Sequence, residues 1–335
     1  MTDFAKRPGV RETWRRAGVN SEVSTIQMEP EDGLADGEPP LGEGPEREFT
    51  VEARSQWRMV VRRFFRHKLA LISLFVLLFV TALAFIGPRL WKYDYKQITP
   101  DASQSPSWDH PFGTDQLGRD YFAQVLHGAQ KSILIAVMVA VLSTTIGVVI
   151  GAISGYFRGW TDAGLMRLVD LFLTIPTIAI AACLGRQLSG GDWWLLAVIL
   201  SVVLWTSTAR IVRGEFLSLR EKEFVEAARA IGAPDRRIIF KHILPNVVGP
   251  MIVSATLVVA TAILLETALS YLGLGVKRPD TSLGLLVSDY QTAFQSRPWL
   301  FWFPGLFIIL IALSINFIGD GLRDAFDPRQ TRVRA

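Results

Sequence analysis

Six long apolar stretches, separated by polar segments, dominate the pattern of this chain. Uncharged or nearly uncharged runs cover 69–87, 132–155, 168–185, 193–209, 247–272 and 299–319. A helix needs about 20 apolar residues to cross the hydrocarbon core of a bilayer. The pattern therefore predicts an all-α integral membrane protein with six transmembrane helices. Pro176 lies inside the third run and predicts a kink there.

The polar beginning of the chain predicts two further elements. Residues 1–53 carry a basic cluster and then an acidic, Pro/Gly-rich run, which is typical of a disordered tail. The first apolar run begins too far along the chain for a cleaved signal peptide, so we expect this tail to belong to the mature protein. The basic amphipathic stretch 54–68 contains Arg, Trp and Phe, which predicts an elbow helix at the membrane surface.

These patterns divide the remainder of the chain into three sections. We expect 54–131 to hold the elbow helix, the first span and an outer loop. Five further spans then form a core over 132–322, and 323–335 forms a C-terminal tail.

Composition and charge agree with a membrane protein. Half of the 335 residues are hydrophobic, and the mean hydropathy is +0.30. Cys183 is the one cysteine, which excludes a disulfide framework or a cysteine metal site within one chain. The net charge of +4 favours loops anchored to an anionic membrane surface over nucleic-acid binding.

The distribution of basic residues predicts the orientation. With the N-terminus inside, the segments after residue 53 that face the cytoplasm contain twenty Lys and Arg residues, and those facing outside contain nine. Loops rich in Lys and Arg stay on the cytoplasmic side. We therefore expect both termini, and the polar segment 213–246, to be cytoplasmic.

That polar segment, 213–246, is more elaborate than a connection between adjacent spans requires. Its alanine-rich part predicts a helix that ends in a left-handed turn at Gly232, with a second short helix that begins near Pro234 and is closed by Pro245. A structured cytoplasmic loop favours docking. Small side chains allow close approach of a partner, and Glu226 offers a carboxylate to it.

A second candidate is Glu266, the one acid deep within an apolar run. A carboxylate there is costly unless it meets water or a polar partner. Two interpretations remain open: Glu266 lines or gates a translocation path, or it is a structural carboxylate held by hydrogen bonds.

A third candidate is the motif "HPFGTDQLGRD" at 110–120. It predicts a turn, relaxed by its two glycines, before a helix capped by Thr114 or Asp115. A metal site is not favoured, because its His and Asp residues are spaced by five and do not meet on one helix face. We expect a structural outer-loop element that contacts an external partner, formed by Phe112, Gly113, Asp115, Gly118, Arg119 and Asp120.

Four motifs together carry a family resemblance. The run "EAARAIG", followed after nine residues by "HILP", resembles the signature of permease subunits of bacterial ABC importers. The outer motif 110–120, "GYFRGWTDAGLMRLVD" at 155–170 and "LETALSYLGLG" at 265–275 are similar to the peptide and nickel class of these permeases. Within that class the chain resembles the six-span C-type subunit of dipeptide and oligopeptide importers.

The resemblance implies a type I importer permease fold and a division of labour. A second homologous permease would complete a heterodimer, two ATP-binding subunits would bind ATP and Mg, and an extracytoplasmic binding protein would deliver a peptide. The coupling helix would dock on the ATPase through Glu226, Ala227, Ala228, Gly232 and Pro245. The chain itself has no G-x-x-x-x-G-K-[ST] phosphate loop, so we expect it to be non-catalytic and to hold no cofactor.

Other functions remain as alternatives. Relatives of the same design carry nickel chelates, opines or glycosides, and export is a further possibility. A secondary transporter is disfavoured by the scarcity of charge within the spans. A membrane-tethered DNA-binding regulator is disfavoured because spans on both sides would pin a recognition helix to the bilayer.

Overall fold

The computed structural model describes residues 56–188 and 192–327. The predicted tail 1–53 and the last eight residues of the predicted C-terminal tail lie outside this part. The described residues fold almost entirely into helices, which we number in chain order. They are α1 (Gln56–Phe64), α2 (Lys68–Leu90), α3 (Tyr121–Phe157), α4 (Gly159–Thr174), α5 (Thr177–Leu188), α6 (Trp193–Leu219), α7 (Glu223–Ala230), α8 (Asp235–Arg237), α9 (Leu244–Tyr271), α10 (Leu283–Asp289) and α11 (Trp299–Phe326).

Within the described residues, five helical stretches are long and apolar enough to cross a membrane. They are α2, α3, α6, Asp235–Tyr271 and α11. The third predicted span is the exception, because α4 and α5 meet at an angle of 85°. Pro176 lies at the break and forces the preceding Ile175 into an extended conformation. The predicted kink at Pro176 is therefore a sharp break, and the described residues contain six spans if this bent pair is counted as one.

The predicted elbow helix is α1, which lies before the first span. His67 begins that span as its N-cap, since its side chain accepts a hydrogen bond from the Ala70 N–H at 3.1 Å. Arg63 of α1 donates to the carbonyl oxygen of Asp327 at 3.0 Å. This bond ties the elbow to the end of α11.

The tightest helix pair, α3 and α6, packs along a row of glycines. Gly147, Gly151 and Gly155 are spaced by four and therefore share one face of α3. A Cβ atom on Gly151 would lie 2.5 Å from the Ala209 carbonyl oxygen, and one on Gly155 would lie 2.6 Å from the Phe216 Cβ. The helices approach this closely because the row has no side chains, as small residues allow in membrane bundles.

Both ends of the predicted segment 213–246 differ from expectation. Its beginning is a continuation of α6, which extends to Leu219. Its end does not contain a short helix closed by Pro245: α8, a π-helical turn Ile238–Ile243 and α9 run on without a break. Pro245 lies in the first turn of α9, where its missing N–H is tolerated. The wider π-helical turn directly before it lets the helix continue past the proline.

Candidate functional site

Helix α7 ends in a turn that the sequence predicted. Gly232 has a φ of +79°, the left-handed conformation that glycine adopts without steric cost. Its N–H donates to the Arg229 carbonyl at 3.0 Å, and the Ala233 N–H donates to the Ala228 carbonyl at 3.0 Å. This pair of bonds is a Schellman motif. The predicted left-handed turn at Gly232 is confirmed.

One face of α7 is seated in a small hydrophobic core of its own. Val225 and Ala228 are buried there against Phe216 of α6 and Ile238 and Ile243 of the π-helical turn. Ala228, which was expected on a docking face, therefore packs toward the protein itself. The helix is held by α6 on one side and by the start of the α9 span on the other.

Exposed apolar side chains lie beside the buried face of α7. Phe224 is 43% exposed and Ile231 is 86% exposed, and Ala227 lies between them. Their spacing of three and four places all three on one face of the helix. We call Phe224, Ala227 and Ile231 the apolar stripe. Of these three residues only Ala227 was predicted, although the helical spacing of Phe224 and Ile231 is visible in the sequence.

The remaining predicted residues lie around this stripe. Glu226 is exposed next to Ala227, and Gly232 is exposed at the end of the helix. Pro245 is exposed too, but it belongs to the first turn of α9 and not to α7. Glu226, Ala227 and Gly232 are thus all exposed on α7 and the turn that ends it.

A polar brace fastens the ends of α7 to the motif at 155–170. Tyr156 donates its hydroxyl proton to Asp235 at 2.5 Å, and Arg220 donates to the Tyr156 carbonyl. Arg158 pairs with Glu221 at 2.5 Å. The hydrogen bond from Arg158 holds the pKa of Glu221 below its ordinary value.

A second pair of the same motif joins α4 to α6. Arg213 makes two hydrogen bonds of 2.6 Å with the carboxylate of Asp162. Bidentate Arg–carboxylate pairs are geometrically specific as well as strong. Motif 155–170 is therefore joined to α6 through Arg213 and to α8 through Asp235.

Glu266 is fully buried at the other end of the bundle. Its carboxylate accepts hydrogen bonds from Ser282 at 2.6 Å, Ser270 at 2.7 Å and Ser132 at 3.2 Å. Ser282 is also the N-cap of α10, so the carboxylate fastens the α9–α11 connection onto α3. Of the two alternatives for Glu266, this geometry favours the structural carboxylate.

The two aspartates of the outer motif hold the long α2–α3 connection together. Asp115 is buried and accepts from the Arg119 guanidinium at 2.7 Å, from Gln124 at 3.1 Å and from the Tyr290 hydroxyl at 3.3 Å. Burial, with the Asp115 carboxylate nearby, raises the pKa of Tyr290 to about 12. This phenol therefore stays protonated and keeps donating at neutral pH.

Asp120 caps α3, contrary to the predicted cap at Thr114 or Asp115. It accepts from the Ala123 N–H at 2.8 Å and also from Trp91 at 3.1 Å. His110 contacts its other oxygen through Nδ1 at 2.7 Å. The error has a simple cause: Thr114 and Asp115 belong to the preceding turn, where Asp115 accepts from backbone N–H groups two and four residues on.

The remaining members of the outer motif shape the turn. Gly113 and Gly118 have φ values of +75° and +76°. A Cβ atom on Gly118 would lie 2.1 Å from the Thr99 carbonyl oxygen, so the chain crossing requires glycine there. Phe112 stacks on Phe303 of α11 with ring centroids 3.8 Å apart. The motif is a structural element of the α2–α3 connection.

Comparison with known proteins agrees with this architecture. A family model described as "Binding-protein-dependent transport system inner membrane component" matches residues 147–332, and one described as "N-terminal TM domain of oligopeptide transport permease C" matches 55–106. A chain of the MetNI methionine ABC transporter, solved in an inward-facing conformation, has a TM-score of 0.51 at 19% identity. The match covers 61% of this chain and 96% of that chain, and it shows the fold.

The chain matches several relatives over nearly the whole of their length. The oligopeptide transport system permease protein OppC of Mycobacterium bovis is 45% identical over 85% of this chain and 98% of its own. OppC of Bacillus subtilis is 40% identical over 85% and 94%. The dipeptide transport system permease protein DppC of Alkalihalophilus pseudofirmus is 40% identical over 85% and 93%. This chain therefore belongs to the family of binding-protein-dependent transport system inner membrane components, as a multi-pass permease subunit.

Proposed function

We propose that this chain is one permease subunit of an ABC importer for short peptides and that α7 is its coupling helix. The observation that carries the proposal is the two-sided character of α7. One face is packed on the spans, and the exposed apolar stripe beside it and the exposed Glu226 are available to a partner. Exposed apolar surface rimmed by polar groups marks a protein interface.

The seat of α7 suggests how force would enter the membrane. The helix packs on α6 and on the turn that leads into α9, and the polar brace fixes both of its ends. A displacement of α7 by an ATP-binding subunit would therefore tilt α6 and α9 instead of bending a loose loop. Such rigid-body motion is the usual way in which a docked element alternates access to a site.

The partners follow from this division of labour. A second homologous permease would complete the path, and two ATP-binding subunits would hold ATP and Mg, so this chain needs no cofactor and catalyses no reaction. Both termini and α7 face the cytoplasm in this proposal, as the excess of basic residues favours. The binding protein would dock on the outer loop, where Trp108 is fully exposed.

Peptides are the proposed substrate because the relatives at 40–45% identity are named oligopeptide and dipeptide permeases. The test is uptake of radiolabelled tri-alanine by the complete complex in proteoliposomes, with ATP inside and the binding protein outside. We expect uptake to require ATP. Uptake that persists without ATP, driven by a proton gradient, would instead identify a secondary transporter.

Charge reversal on α7 tests the docking surface. Glu226→Lys should leave the subunit in the membrane, but it should lower ATP-dependent uptake by at least about tenfold, because like charges at an interface are strongly unfavourable. Co-purification of the ATP-binding subunits should fall in parallel. Asp320→Lys is the control, since it makes the same reversal at an exposed carboxylate of α11. Normal association and uptake in Glu226→Lys would contradict the assignment of α7.

A further inference from the structure

A cavity of about 430 Å³ lies between α6, α9 and α11, at the same end of the bundle as α7. Glu215 lies near the end of α6, Arg323 lies in the last turn of α11, and both line this cavity. The rest of the wall is largely apolar and includes Pro250, Leu257 and Phe326. Its volume is within the roughly 300–1,000 Å³ of small-molecule pockets.

The two opposite charges of this cavity are not used to hold the fold. Within residues 56–188 and 192–327, neither the Glu215 nor the Arg323 side chain makes an ion pair or a side-chain hydrogen bond. A third charged residue, Asp327, also lines the wall, and its backbone carbonyl oxygen accepts a hydrogen bond from Arg63 of the elbow helix. Glu215 is half-buried and Arg323 is exposed, so both charges are accessible to an ionised ligand that enters the cavity.

We propose that this cavity is a cytoplasmic-side station for the translocated peptide, in which Glu215 binds the free amino terminus and Arg323 binds the free carboxylate. A short peptide carries these two charges at its two ends, and its side chains would meet the apolar wall without specific hydrogen bonds. Recognition of the termini alone would allow many sequences to pass. The inference rests on the proposed function, since it names a substrate subsite of the same permease.

The position of the cavity connects it to the coupling helix. Pro250 and Leu257 belong to α9 and Glu215 to α6, the two helices between which α7 is seated. A displacement of α7 that tilts these helices would change the distance between Glu215 and the apolar wall. The station would therefore be remodelled when the ATP-binding subunits move, which is what release of a peptide into the cytoplasm requires.

The test uses the complete complex of permease and ATP-binding subunits in phosphatidylcholine nanodiscs, without the binding protein. The dissociation constant of radiolabelled tri-alanine is measured by equilibrium dialysis, together with its N-acetylated and C-amidated forms. Each blocked form should bind the wild-type complex about tenfold more weakly, because one charge-assisted contact is lost. This comparison requires no variant and so does not depend on the folding of one.

Variants then assign each terminus to its residue. Glu215→Gln should weaken the binding of tri-alanine about tenfold. In this variant, N-acetylation of the peptide should weaken binding by less than about a further twofold, because both changes remove the same contact. Arg323→Gln should behave in the same way toward C-amidation. Asp320→Asn, an exposed residue of α11 outside the cavity, should leave all three peptides unchanged.

Two results would overturn the proposal. One is an undiminished penalty for N-acetylation in Glu215→Gln. The other is loss of tri-alanine binding when half of the lipid is phosphatidylethanolamine, which carries the same pair of charges and would identify a lipid site. ATP-dependent uptake in proteoliposomes separates this proposal from the proposed function. If tri-alanine is taken up but the blocked peptides bind the complex as tightly as tri-alanine, the station is refuted and the importer is not. If tri-alanine is not taken up, the peptide importer itself is refuted.

Discussion

Several polar side chains in the described part of this protein join segments that are distant along the chain. The hydroxyl groups that donate to Glu266 come from positions 4 to 134 residues away. Asp115 accepts from Arg119 four residues on and from Tyr290 on a different connection. Hydrogen bonding within the protein therefore accounts for the burial of the Glu266 carboxylate without a role in transport.

Replacement of Glu266 tests this explanation. Its two oxygens serve three hydroxyl donors, and Glu266→Gln replaces one acceptor oxygen by an NH2 donor. We expect the free energy of unfolding to fall by about 1–3 kcal/mol, the usual cost of a lost hydrogen bond to a buried charged group. The measurement is the thermal unfolding midpoint of the purified complex.

The control for Glu266 is Thr261→Val, an exposed position on the same helix, which we expect to change stability by less than about 0.5 kcal/mol. If Glu266→Gln lowered uptake and left the unfolding midpoint unchanged, Glu266 would be a residue of the translocation path.

Gly232 offers a test of backbone conformation free of steric conflict. A Cβ atom there would meet nothing within 4 Å, yet φ is +79°. Gly232→Val should destabilise the end of α7 by about 1–2 kcal/mol, and Gly232→Asn should be nearly neutral, because asparagine tolerates the left-handed region. Co-purification of the ATP-binding subunits should fall for valine and persist for asparagine. Equal loss in both variants would mean that the glycine is needed for close approach of the partner instead.

Helices in this protein are joined by two different means. α3 and α6 meet through backbone contact along glycines, whereas α7 is held by apolar side chains and the polar brace. The first arrangement tolerates no added volume, and the second permits small adjustments. Close backbone contact therefore holds α3 to α6, whereas side-chain contacts hold α7 to α6 and to the start of α9.

Added volume in the glycine row should separate α3 from α6. Gly151→Ala would place a Cβ atom 2.5 Å from the Ala209 carbonyl oxygen, and overpacking of this kind costs about 1–3 kcal/mol. The matched control is Gly164→Ala in α4, where a Cβ atom meets nothing within 4 Å. That change should be neutral or should stabilise by about 0.5–1 kcal/mol. Thermal unfolding of both variants checks the contrast, and equal effects would show that the row is not tightly packed.

In the described part of the chain, the two long connections, α2–α3 and α9–α11, are held to the bundle by contacts with α3. Asp280 of the α9–α11 connection bonds to Lys131 at 3.0 Å and to His127 at 3.2 Å, both on α3. Tyr95 of the α2–α3 connection stacks on the same histidine, with ring centroids 3.8 Å apart. Both connections are thus attached at one place.

This attachment should depend on pH in a defined direction. Although burial raises the pKa of Asp280, hydrogen bonds from Lys131 and His127 hold it below its ordinary 3.8. A lowered pKa stabilises the fold fully above the ordinary value, and this contribution is lost as the pH falls through the lower, folded value. The difference in unfolding midpoint between the wild type and Asp280→Asn should therefore shrink as the pH falls below about 4, where the Asp280 carboxylate becomes protonated. A difference that did not shrink below about pH 4 would contradict this role of Asp280.

The sequence by itself determined the class of this protein, the apolar segments, the turn at Gly232 and the existence of the outer motif. These features depend on properties that act over a few residues or one helix: the hydropathy of a span, and the backbone freedom of glycine and proline. Only the tertiary structure decided the burial of Ala228, the three donors to Glu266, the glycine contact of α3 with α6, and the two unpaired charges of one cavity. Each of these depends on which distant segments pack together, and the apolar pattern of a span does not specify the neighbours against which it packs.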